Sequence, residues 1–286
     1  MHSGRTNPYD DYNKIKRIAG GGFGEVYLVE DKENSKRYAA KILILNYEED
    51  KNLIRNEFVL TKLSAHKNVI MYHLLYEIDN EMWIIQDLMD TNLTSLLLRR
   101  NPIPEKYAIV ILKNILEGLR FIHSNFRIHR DIKSDNILIN FSGEIKICDL
   151  GFAAQLTNED QQRKTLAGTP CWLAPEILLL QPYDMKVDIW AFGIICIELI
   201  DGEPPMFRNS MDLIMRNTLE SEITPKNKSA VSQDYLDMLA CCLKKSPVSR
   251  ISSKSLLELP IFASSQKPSD FPEFLKTRYK DLNPNK

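Results

Sequence analysis

The sequence predicts an α+β protein in which a smaller, mainly antiparallel β part precedes a larger, mainly α-helical part. Between residues 14 and 86, β-rich runs alternate with turn residues, and one helical pattern interrupts them. From Pro104 onward, apolar residues recur at helical spacing. The run Val187–Ile200 is apolar nearly all round, as in a buried central helix.

The β-rich part contains five predicted strands. Ile15–Asp31 consists of two β-rich runs around a glycine cluster, and Lys36–Leu45 predicts a third strand. Residues Glu48–Leu63 combine an acidic first turn with apolar residues at helical spacing, which indicates an amphipathic helix. Two further apolar runs on either side of Asp79-Asn80-Glu81 predict a hairpin.

The helical part begins at Pro104, which we expect to open a long helix. Ile109, Leu112 and Leu116 lie along one face of that helix. The last stretch, from Ser264, is polar and contains three prolines, so we expect it to wrap the surface or fray.

Composition limits the function classes. The 286 residues include 37 basic and 38 acidic side chains, and a net charge of −1 provides no overall basic field for nucleic acid. The five cysteines have no metal-ligand spacing, and their odd number argues against a disulfide framework. The run Ile189–Ile200 is too short to cross a membrane and contains Glu198. These features predict a soluble, cytoplasmic protein.

A glycine-rich turn joins the first two predicted strands. Glycines let a backbone approach a phosphate closely and direct N–H groups at it, although such a turn alone is often only a hairpin. A dinucleotide-binding fold requires a helix after the glycines, whereas Glu25–Val29 continues as strand. A phosphate-binding loop of the Gly-Lys-Ser/Thr type is also missing. The residues of the turn are Ala19, Gly20, Gly21, Gly22, Phe23, Gly24 and Val26.

Two polar segments follow at positions flanked by apolar residues. Lys41 lies in an apolar strand, and Glu57 on the next helix is a candidate counter-ion. The segment Ile128–Asn140 has apolar ends around charged residues that would be costly to bury unpaired. Further along, Asp149-Leu150-Gly151 forms a turn motif that is ordinary by itself.

Taken in order, these motifs resemble the eukaryotic protein kinases. The set comprises the glycine turn, the strand lysine, the helix glutamate, His129-Arg130-Asp131-x-Lys133-x-x-Asn136, Asp149-Leu150-Gly151 and Ala174-Pro175-Glu176. The resemblance extends over residues 12–262 and implies a bilobal fold. It places an N-lobe at 12–86, a hinge at 87–89 and a C-lobe at 90–262, with extensions at 1–11 and 263–286.

The resemblance implies the reaction and the residues that perform it. Asp131 would orient the substrate hydroxyl and accept its proton, and Lys133 would neutralise charge on the transferred phosphoryl group. Asn136 and Asp149 would hold Mg²⁺, which prefers hard oxygen ligands. Lys41, paired with Glu57, would anchor the phosphates of ATP. The residues implied to contact the nucleotide are those of the glycine turn with Ala39, Lys41, Gln86, Asp87, Met89 and Leu138.

Lys133 and Thr169 are typical of serine/threonine kinases, in which the threonine supports the catalytic aspartate and lysine. The segments "HRDIKSDNIL", "TLAGTPCWLAPEILL" and "ELIDGEPP" resemble the p21-activated branch of the sterile-20-like kinases. That branch is regulated by small GTPases through regions that we do not recognise in this sequence. Protein substrates are implied, and transient self-association for phosphorylation in trans is a further expectation.

Regulation and substrate preference follow from the same resemblance. Thr165 stands where the family has its activating threonine, and Arg130 would pair with the phosphate. Asp135 and Glu198 match positions that receive an upstream arginine in kinases with basic substrates, although Glu198 can equally be a satisfied carboxylate at the end of a helix. Glu176 and Arg250 match a structural ion pair.

Two departures from the family pattern appear linked. Gln86 occupies the gatekeeper position, where methionine or threonine is common, and Thr61 occupies a position that is usually apolar. A buried, unpaired amide would cost on the order of 1–3 kcal/mol. We therefore expect the two side chains to share a hydrogen bond or a bridging water, or else Gln86 to point into the nucleotide pocket.

One alternative from another class remains, a nucleotide-binding pseudokinase that acts as a scaffold. Its usual mark is the loss of the lysine, the catalytic aspartate or the metal-binding aspartate. Lys41, Asp131 and Asp149 are all present, so the sequence favours an active enzyme.

Overall fold

The computed structural model describes residues 7–21, 24–45, 47–62, 65–150, 154–155, 168–263 and 265–284. The chain forms two compact units, Met1–Met89 (the N-terminal unit) and Asp90–Lys286 (the C-terminal unit). The first is mainly β and the second mainly α, which confirms the predicted α+β class. Within the described ranges, no helix has both the length and the hydropathy needed to cross a membrane.

The N-terminal unit is a five-stranded antiparallel sheet with the strand order β1-β2-β3-β5-β4. The predicted strands, the helix and the hairpin are all present, and Asp79 forms the hairpin turn with a left-handed φ of 52°. The elements are α1 (Pro8–Asp11), β1 (Tyr12–Gly21), β2 (Gly24–Asp31), β3 (Arg37–Ile44), α2 (Glu48–Lys62), β4 (Tyr72–Ile78) and β5 (Glu81–Gln86).

The two faces of this sheet have different roles, because successive side chains of a strand point to opposite sides. One face carries a hydrophobic cluster that includes Val29, Ala40 and Trp83. α1 covers part of this cluster, since the Tyr9 ring lies edge-on at 4.9 Å from Trp83. The opposite face is therefore the one left for the residues of a functional site.

The C-terminal unit combines helices with short strand pairs. Its strands are β6 (Thr91–Asn92), β7 (Arg127–Ile128), β8 (Ile137–Ile139), β9 (Ile145–Ile147) and β10 (Ala154–Gln155). Its helices are α3 (Leu93–Leu96), α4 (Glu105–Ser124), α5 (Pro175–Leu178), α6 (Lys186–Asp201), α7 (Met211–Glu220), α8 (Gln233–Cys242), α9 (Ser253–Leu257), α10 (Pro260–Ala263) and α11 (Phe271–Leu282).

The core of this unit lies around α6, which is buried along almost its whole length. Such a helix must be apolar on all sides, which confirms the prediction for Val187–Ile200. α4 packs against α6, and Pro104 is its N-cap residue, one position before the helix begins. The strands β7, β8 and β9 lie at the ends of the loops that carry the predicted catalytic residues.

The prediction for the C-terminal tail was wrong in part. Residues from Ser264 were expected to wrap the surface or fray, but Phe271–Leu282 forms α11. Phe271 and Leu275 are fully buried, one helical turn apart. Arg278, one turn further, donates hydrogen bonds to the carbonyl oxygens of Leu96 and Asn101. The polar composition of the tail hid an amphipathic face that docks on the C-terminal unit.

Candidate functional site

The predicted catalytic loop is held through its backbone by one buried aspartate. Asp188, at the start of α6, accepts hydrogen bonds from the backbone N–H groups of His129 at 2.8 Å and Arg130 at 2.9 Å. The Nε2 atom of His123 donates to the same carboxylate at 2.9 Å. Arg130 has a left-handed φ of 70°, a backbone strain that persists only where the surroundings enforce it. The loop is therefore fixed before any ligand binds.

The side chain of Asp131 is at the centre of a hydrogen-bonded cluster. Thr169 Oγ1 donates to Oδ1 at 2.7 Å, and Asn136 Nδ2 donates to Oδ2 at 3.0 Å. The ammonium of Lys133 lies 2.8 Å from Oδ2 and 2.8 Å from Thr169 Oγ1. Asp131 is only 4% exposed. Both contacts predicted for Thr169 are thus present, and the carboxylate is held in one orientation.

The next residues fit a hard cation. The Nδ2 atom of Asn136 donates to both the carboxylate and the backbone oxygen of Asp131, so the amide nitrogen is fixed and the amide oxygen is turned away from it. Asp149 is half-buried and has a left-handed φ of 64°. An amide oxygen and a carboxylate are donors that suit Mg²⁺, which retains several waters as further ligands.

In the N-terminal unit, the predicted nucleotide residues share one face of the sheet. Val26 in β2 lies opposite Lys41 in β3, and Lys41 lies opposite Ile84 in β5. Ala39, two residues before Lys41, lies opposite Gln86. Because residues at i and i+2 point to the same side, these side chains all project from the face opposite the hydrophobic cluster. The register therefore gathers residues that the sequence shows only as separate motifs.

The strands on either side of the glycine turn pair as far as Gly21 and Gly24. Ala19 pairs with Val26, Gly20 with Glu25 and Gly21 with Gly24. Gly24 has a φ of +118°, and a Cβ atom at this position would clash with the carbonyl oxygen of Ile42. This position therefore requires glycine. Gly22 and Phe23 lie outside the described residues.

Glu57 extends from α2 and has a buried partner that the sequence did not suggest. The hydroxyl of Tyr72, in β4, donates to Glu57 Oε1 at 2.9 Å. Lys41 and Glu57 both lie in the N-terminal unit, on β3 and α2. Their predicted ion pair stays a prediction.

The prediction of a direct hydrogen bond between Gln86 and Thr61 was wrong. Both residues are buried, with 8% and 2% exposure, but Thr61 Oγ1 has no hydrogen-bond partner among the described residues. Gln86 ends β5 and lies on the face that carries Lys41. The bridging water and the alternative, in which the amide points into the nucleotide pocket, stay predictions.

Glu198 lies deeper than expected for a substrate-binding residue, at 3% exposure, whereas Asp135 is exposed. Ser134 Oγ donates to Glu198 Oε1 at 2.5 Å and accepts from Thr94 Oγ1 at 2.8 Å. The Oε2 atom has no hydrogen-bond partner among the described residues. Burial, together with the nearby charge of Asp135, raises the pKa of the Glu198 carboxyl to about 8, against the lowering effect of Ser134.

The indole of Trp172 also faces Glu198. Its proximity lowers the pKa of the carboxyl, but its N–H has no hydrogen-bond partner in the described part of the chain. We conclude that the two groups are close but poorly aligned, because hydrogen bonds weaken steeply with angle.

Three other predicted nucleotide residues are located as follows. Leu138 is half-buried in β8. Asp87 follows β5, and its carboxylate contacts His73 Nε2 at 2.8 Å and accepts the backbone N–H of Met71 at 3.2 Å. Met89 is half-buried two residues later. Their contacts with a nucleotide stay predictions.

The predicted regulatory threonine, Thr165, lies outside the described residues. Arg130 is half-buried. Gly168 has a φ of +117°, and a Cβ atom there would approach the carbonyl oxygen of Arg130 to 2.7 Å. Gly168, directly before Thr169, therefore lies close to the catalytic loop.

The predicted structural ion pair is confirmed. Arg250 binds Glu176 through two bonds of 2.6 and 3.0 Å, and the residues are 1% and 2% exposed. Both charges are fully buried, and the bidentate geometry with further bonds from Arg250 to backbone carbonyls satisfies them.

The sequence interpretation missed three residues that organise the site: Asp188, Tyr72 and Ser134. Asp188 had a signal, since it is the acidic residue in the first turn of a mostly apolar helix. Tyr72 had none, because a tyrosine in a β-strand is ordinary. Ser134 was noted only as a mark of a kinase branch.

Comparison with known proteins agrees with this geometry. A family profile described as protein kinase domain matches residues 12–262. The chain is 34% identical over 256 residues to the serine/threonine-protein kinase PAK 1 of Mus musculus, covering 88% of the chain and 46% of that protein.

Two further relatives have similar names. The chain is 36% identical over 274 residues to pakA of Dictyostelium discoideum, covering 94% of the chain and 23% of that protein. It is 37% identical over 258 residues to CLA4 of Candida albicans, with 88% and 26% covered. The chain thus spans less than half the length of these three curated relatives. Because the family profile matches most of the chain, the chain belongs to the protein kinase family.

Proposed function

We propose that the chain is a serine/threonine protein kinase that transfers the γ-phosphate of ATP to hydroxyl groups of protein substrates. The observation that carries this proposal is the cluster around Asp131, in which Thr169, Lys133 and Asn136 all contact one buried carboxylate. A carboxylate held in this way can orient a hydroxyl and take its proton as phosphate transfer proceeds.

Lys133 would serve the second requirement of the reaction, the neutralisation of charge. The side chain of Lys133 is 18% exposed, and its ammonium is fixed between Asp131 and Thr169. From this position it would stabilise negative charge on the transferred group without having to reorganise. The threonine that holds both residues supports specificity for serine and threonine hydroxyls.

Asn136 and Asp149 would hold Mg²⁺, as the chemistry of their oxygens allows. When bound, the metal neutralises the phosphate oxygens of ATP. The two residues have separate duties, since the amide nitrogen of Asn136 orients Asp131 while its oxygen remains for the metal. Loss of Asn136 would therefore disturb the catalytic carboxylate as well as the metal.

In the N-terminal unit, the shared sheet face supports a nucleotide-binding role. Lys41 would bind phosphate oxygens, and Glu57 would orient its ammonium. Val26 and Ala39 would supply apolar contacts to the adenine, together with Leu138 from the C-terminal unit. The backbone N–H groups of the glycine turn, from Ala19 to Gly24, would cover the phosphates.

For substrate preference, the exposed carboxylate of Asp135 favours a basic residue upstream of the phosphorylated hydroxyl. Glu198 is the second candidate of this kind, although its burial restricts access. A peptide array with arginine, lysine and alanine at upstream positions tests this preference. Equal phosphorylation of all three peptides would remove it.

Activation by phosphorylation of Thr165 is a further part of the proposal, with Arg130 as partner of the phosphate. The close approach of Gly168 to the backbone of Arg130 supports a link between this segment and the catalytic loop. Mass spectrometry of purified protein would locate the phosphate. Activity of Thr165→Ala equal to that of the wild type, after phosphatase treatment of both, would contradict the role.

We also propose a cytoplasmic location and regulation by a small GTPase, on the similarity to p21-activated kinases. The regions that would bind the GTPase are not recognisable in this sequence. Pull-down of the protein from its own cells with GTP-loaded and GDP-loaded GTPase tests regulation. Transient association of two copies for phosphorylation in trans is tested by mixing active kinase with Asp131→Asn protein.

The experiment that tests the central proposal is transfer of labelled phosphate from ATP with Mg²⁺ to a basic serine/threonine peptide, beside Asp131→Asn. We expect transfer by the wild type and its loss in the variant, because an amide cannot accept the proton. A wild type that binds ATP but transfers no phosphate, even after modification of Thr165 by another kinase, would favour the scaffold alternative.

A further inference from the structure

Tyr72 contacts Glu57, the predicted counter-ion of Lys41. Its hydroxyl donates to Glu57 Oε1 at 2.9 Å. A hydrogen bond to an ionised group is about twice as strong as one between neutral groups. The two residues lie on different elements, β4 and α2, so the bond fixes a helix side chain to the sheet.

The phenol is itself rigid. Tyr72 is 1% exposed, and its backbone pairs with Gln86 in the sheet. Its ring stacks on Phe58, the residue after Glu57, with 6.2 Å between centroids and 15° between planes. A tyrosine has few rotatable bonds, so the hydroxyl of the packed Tyr72 is a fixed donor. A fixed donor restricts the three side-chain torsions of Glu57 more than the helix alone does.

Three further contacts that join α2 to β4 lie nearer the surface. Lys51 and Arg55 bind Glu77 at 3.1 and 2.5 Å, and Lys62 donates to the carbonyl oxygen of His73 at 3.0 Å. Exposed ion pairs contribute little and leave long side chains mobile. These contacts hold the helix near the strand but do not determine where the Glu57 carboxylate points.

We propose that Tyr72 is a positioning residue, which acts through Glu57 on the lysine that binds the phosphates. This inference rests on the proposed Lys41–Glu57 pair. A carboxylate has about four acceptor sites, so Oε1 can accept from Tyr72 while the carboxylate still binds an ammonium. The phenol does not neutralise the charge that Lys41 requires. It removes the alternative rotamers in which that charge is misplaced.

The test compares two Tyr→Phe variants of the same strand. Tyr76 provides the matched control, since it is 3% exposed, belongs to the hydrophobic cluster of the sheet and donates its hydroxyl to Asp11 at 2.8 Å. Each variant loses one buried hydroxyl bonded to a carboxylate and keeps its ring. We expect Tyr72→Phe to lower kcat/KM for ATP roughly tenfold. We expect Tyr72→Phe and Tyr76→Phe to lower Tm by similar amounts. Tyr76→Phe should leave kcat/KM for ATP unchanged.

A double-mutant cycle separates positioning from structure. If Tyr72 acts through Glu57, then Tyr72→Phe added to Glu57→Gln lowers kcat/KM for ATP by no more than about twofold. Equal losses in the presence and absence of Glu57 would overturn the inference. So would a Tyr72→Phe variant that is as active as the wild type, or more active, while Glu57→Gln is impaired. Full activity of Glu57→Gln would instead refute the proposed Lys41–Glu57 pair itself.

Discussion

Buried polar atoms of this fold differ in how fully their hydrogen bonds are satisfied. The carboxylates of Asp131 and Asp188 have several donors each. Thr61, in contrast, buries a hydroxyl whose oxygen has no partner in the described ranges. An unsatisfied hydroxyl carries a desolvation cost of about 1–3 kcal/mol. The residue is therefore a weak point in the anchoring of α2.

We predict that Thr61→Val does not destabilise the protein and raises its free energy of unfolding by about 1 kcal/mol, because valine has the shape of threonine without the unsatisfied hydroxyl. Urea denaturation measures the change. Thr94→Val is the matched control, since that hydroxyl donates to Ser134 at 2.8 Å, and we expect it to cost about 1 kcal/mol. Equal losses in both variants would mean that Thr61 has a partner after all.

Glu198 predicts a pH dependence of stability. The pKa of its carboxyl is raised from the ordinary glutamate value of 4.5 to about 8 in the folded protein. Between these values the folded state holds a proton that the unfolded state releases, so the free energy of unfolding falls as pH rises. The fall is about 1.4 kcal/mol for each unit of difference in pKa. It is absent below pH 4.5 and complete above pH 8.

The measurement is urea denaturation from pH 4 to 9 for the wild type and Glu198→Gln, in which position 198 does not titrate. We expect the wild type to have the higher free energy of unfolding at low pH. It should lose this advantage over the variant steadily as pH rises. A difference that stays constant over this range would place the pKa of Glu198 near its ordinary value. Ser134→Ala should extend the fall to higher pH, because the bond from Ser134 lowers the pKa of Glu198.

At the scale of elements, α6 links the core to the chemistry. Its apolar sides make the centre of the C-terminal unit, while Asp188 and Glu198, near its two ends, reach the catalytic loop and the residue next to Asp135. A helix buried on all sides is rigid. The loop is therefore attached to a buried helix, which helps to keep Asp131 in position.

α11 has to be treated as an integral helix of the C-terminal unit. We predict that Phe271→Ala lowers the free energy of unfolding by about 3–5 kcal/mol, because Phe271 is fully buried. Phe274→Ala should cost less, since Phe274 is half-buried, although its ring stacks on Tyr107 at 3.8 Å. Denaturant unfolding of both variants measures the costs. If Phe271→Ala has only a small effect on the free energy of unfolding, then the tail is frayed, as the sequence predicted.

Elements and motifs differ in how well the sequence predicts them. Strands, helices and the catalytic motifs are local patterns, and α2, β3 and the loop around Asp131 were all predicted within a few residues. The partners of these motifs are not local. Asp188 is 59 residues from His129, and Glu198 is 64 residues from Ser134. Such contacts depend on packing, which no period or spacing in the chain encodes.

At the scale of the whole molecule, acidic and basic residues are balanced to a net charge of −1. The composition therefore has no marked excess of either charge, and it is folding that brings the polar residues of each site together. Each unit has its own set of functional residues: the sheet face with Lys41 in the first, and the cluster around Asp131 in the second. A nucleotide that binds to these residues would bind only the folded chain, so it should stabilise the fold.

A ligand that binds only the folded state raises its stability by mass action, by about 2.7 kcal/mol at one hundred times the dissociation constant. We predict a corresponding increase in Tm for Asp131→Asn protein, which does not consume ATP, when ATP and Mg²⁺ are added. EDTA should reduce the increase, because in the proposed site Asn136 and Asp149 would bind phosphate only through the metal. A second substitution, Asp149→Asn, should reduce the increase in Tm even in excess Mg²⁺, because an amide lacks the charge of the carboxylate. An increase in Tm that is the same under all these conditions would mean that Asp149 holds no metal.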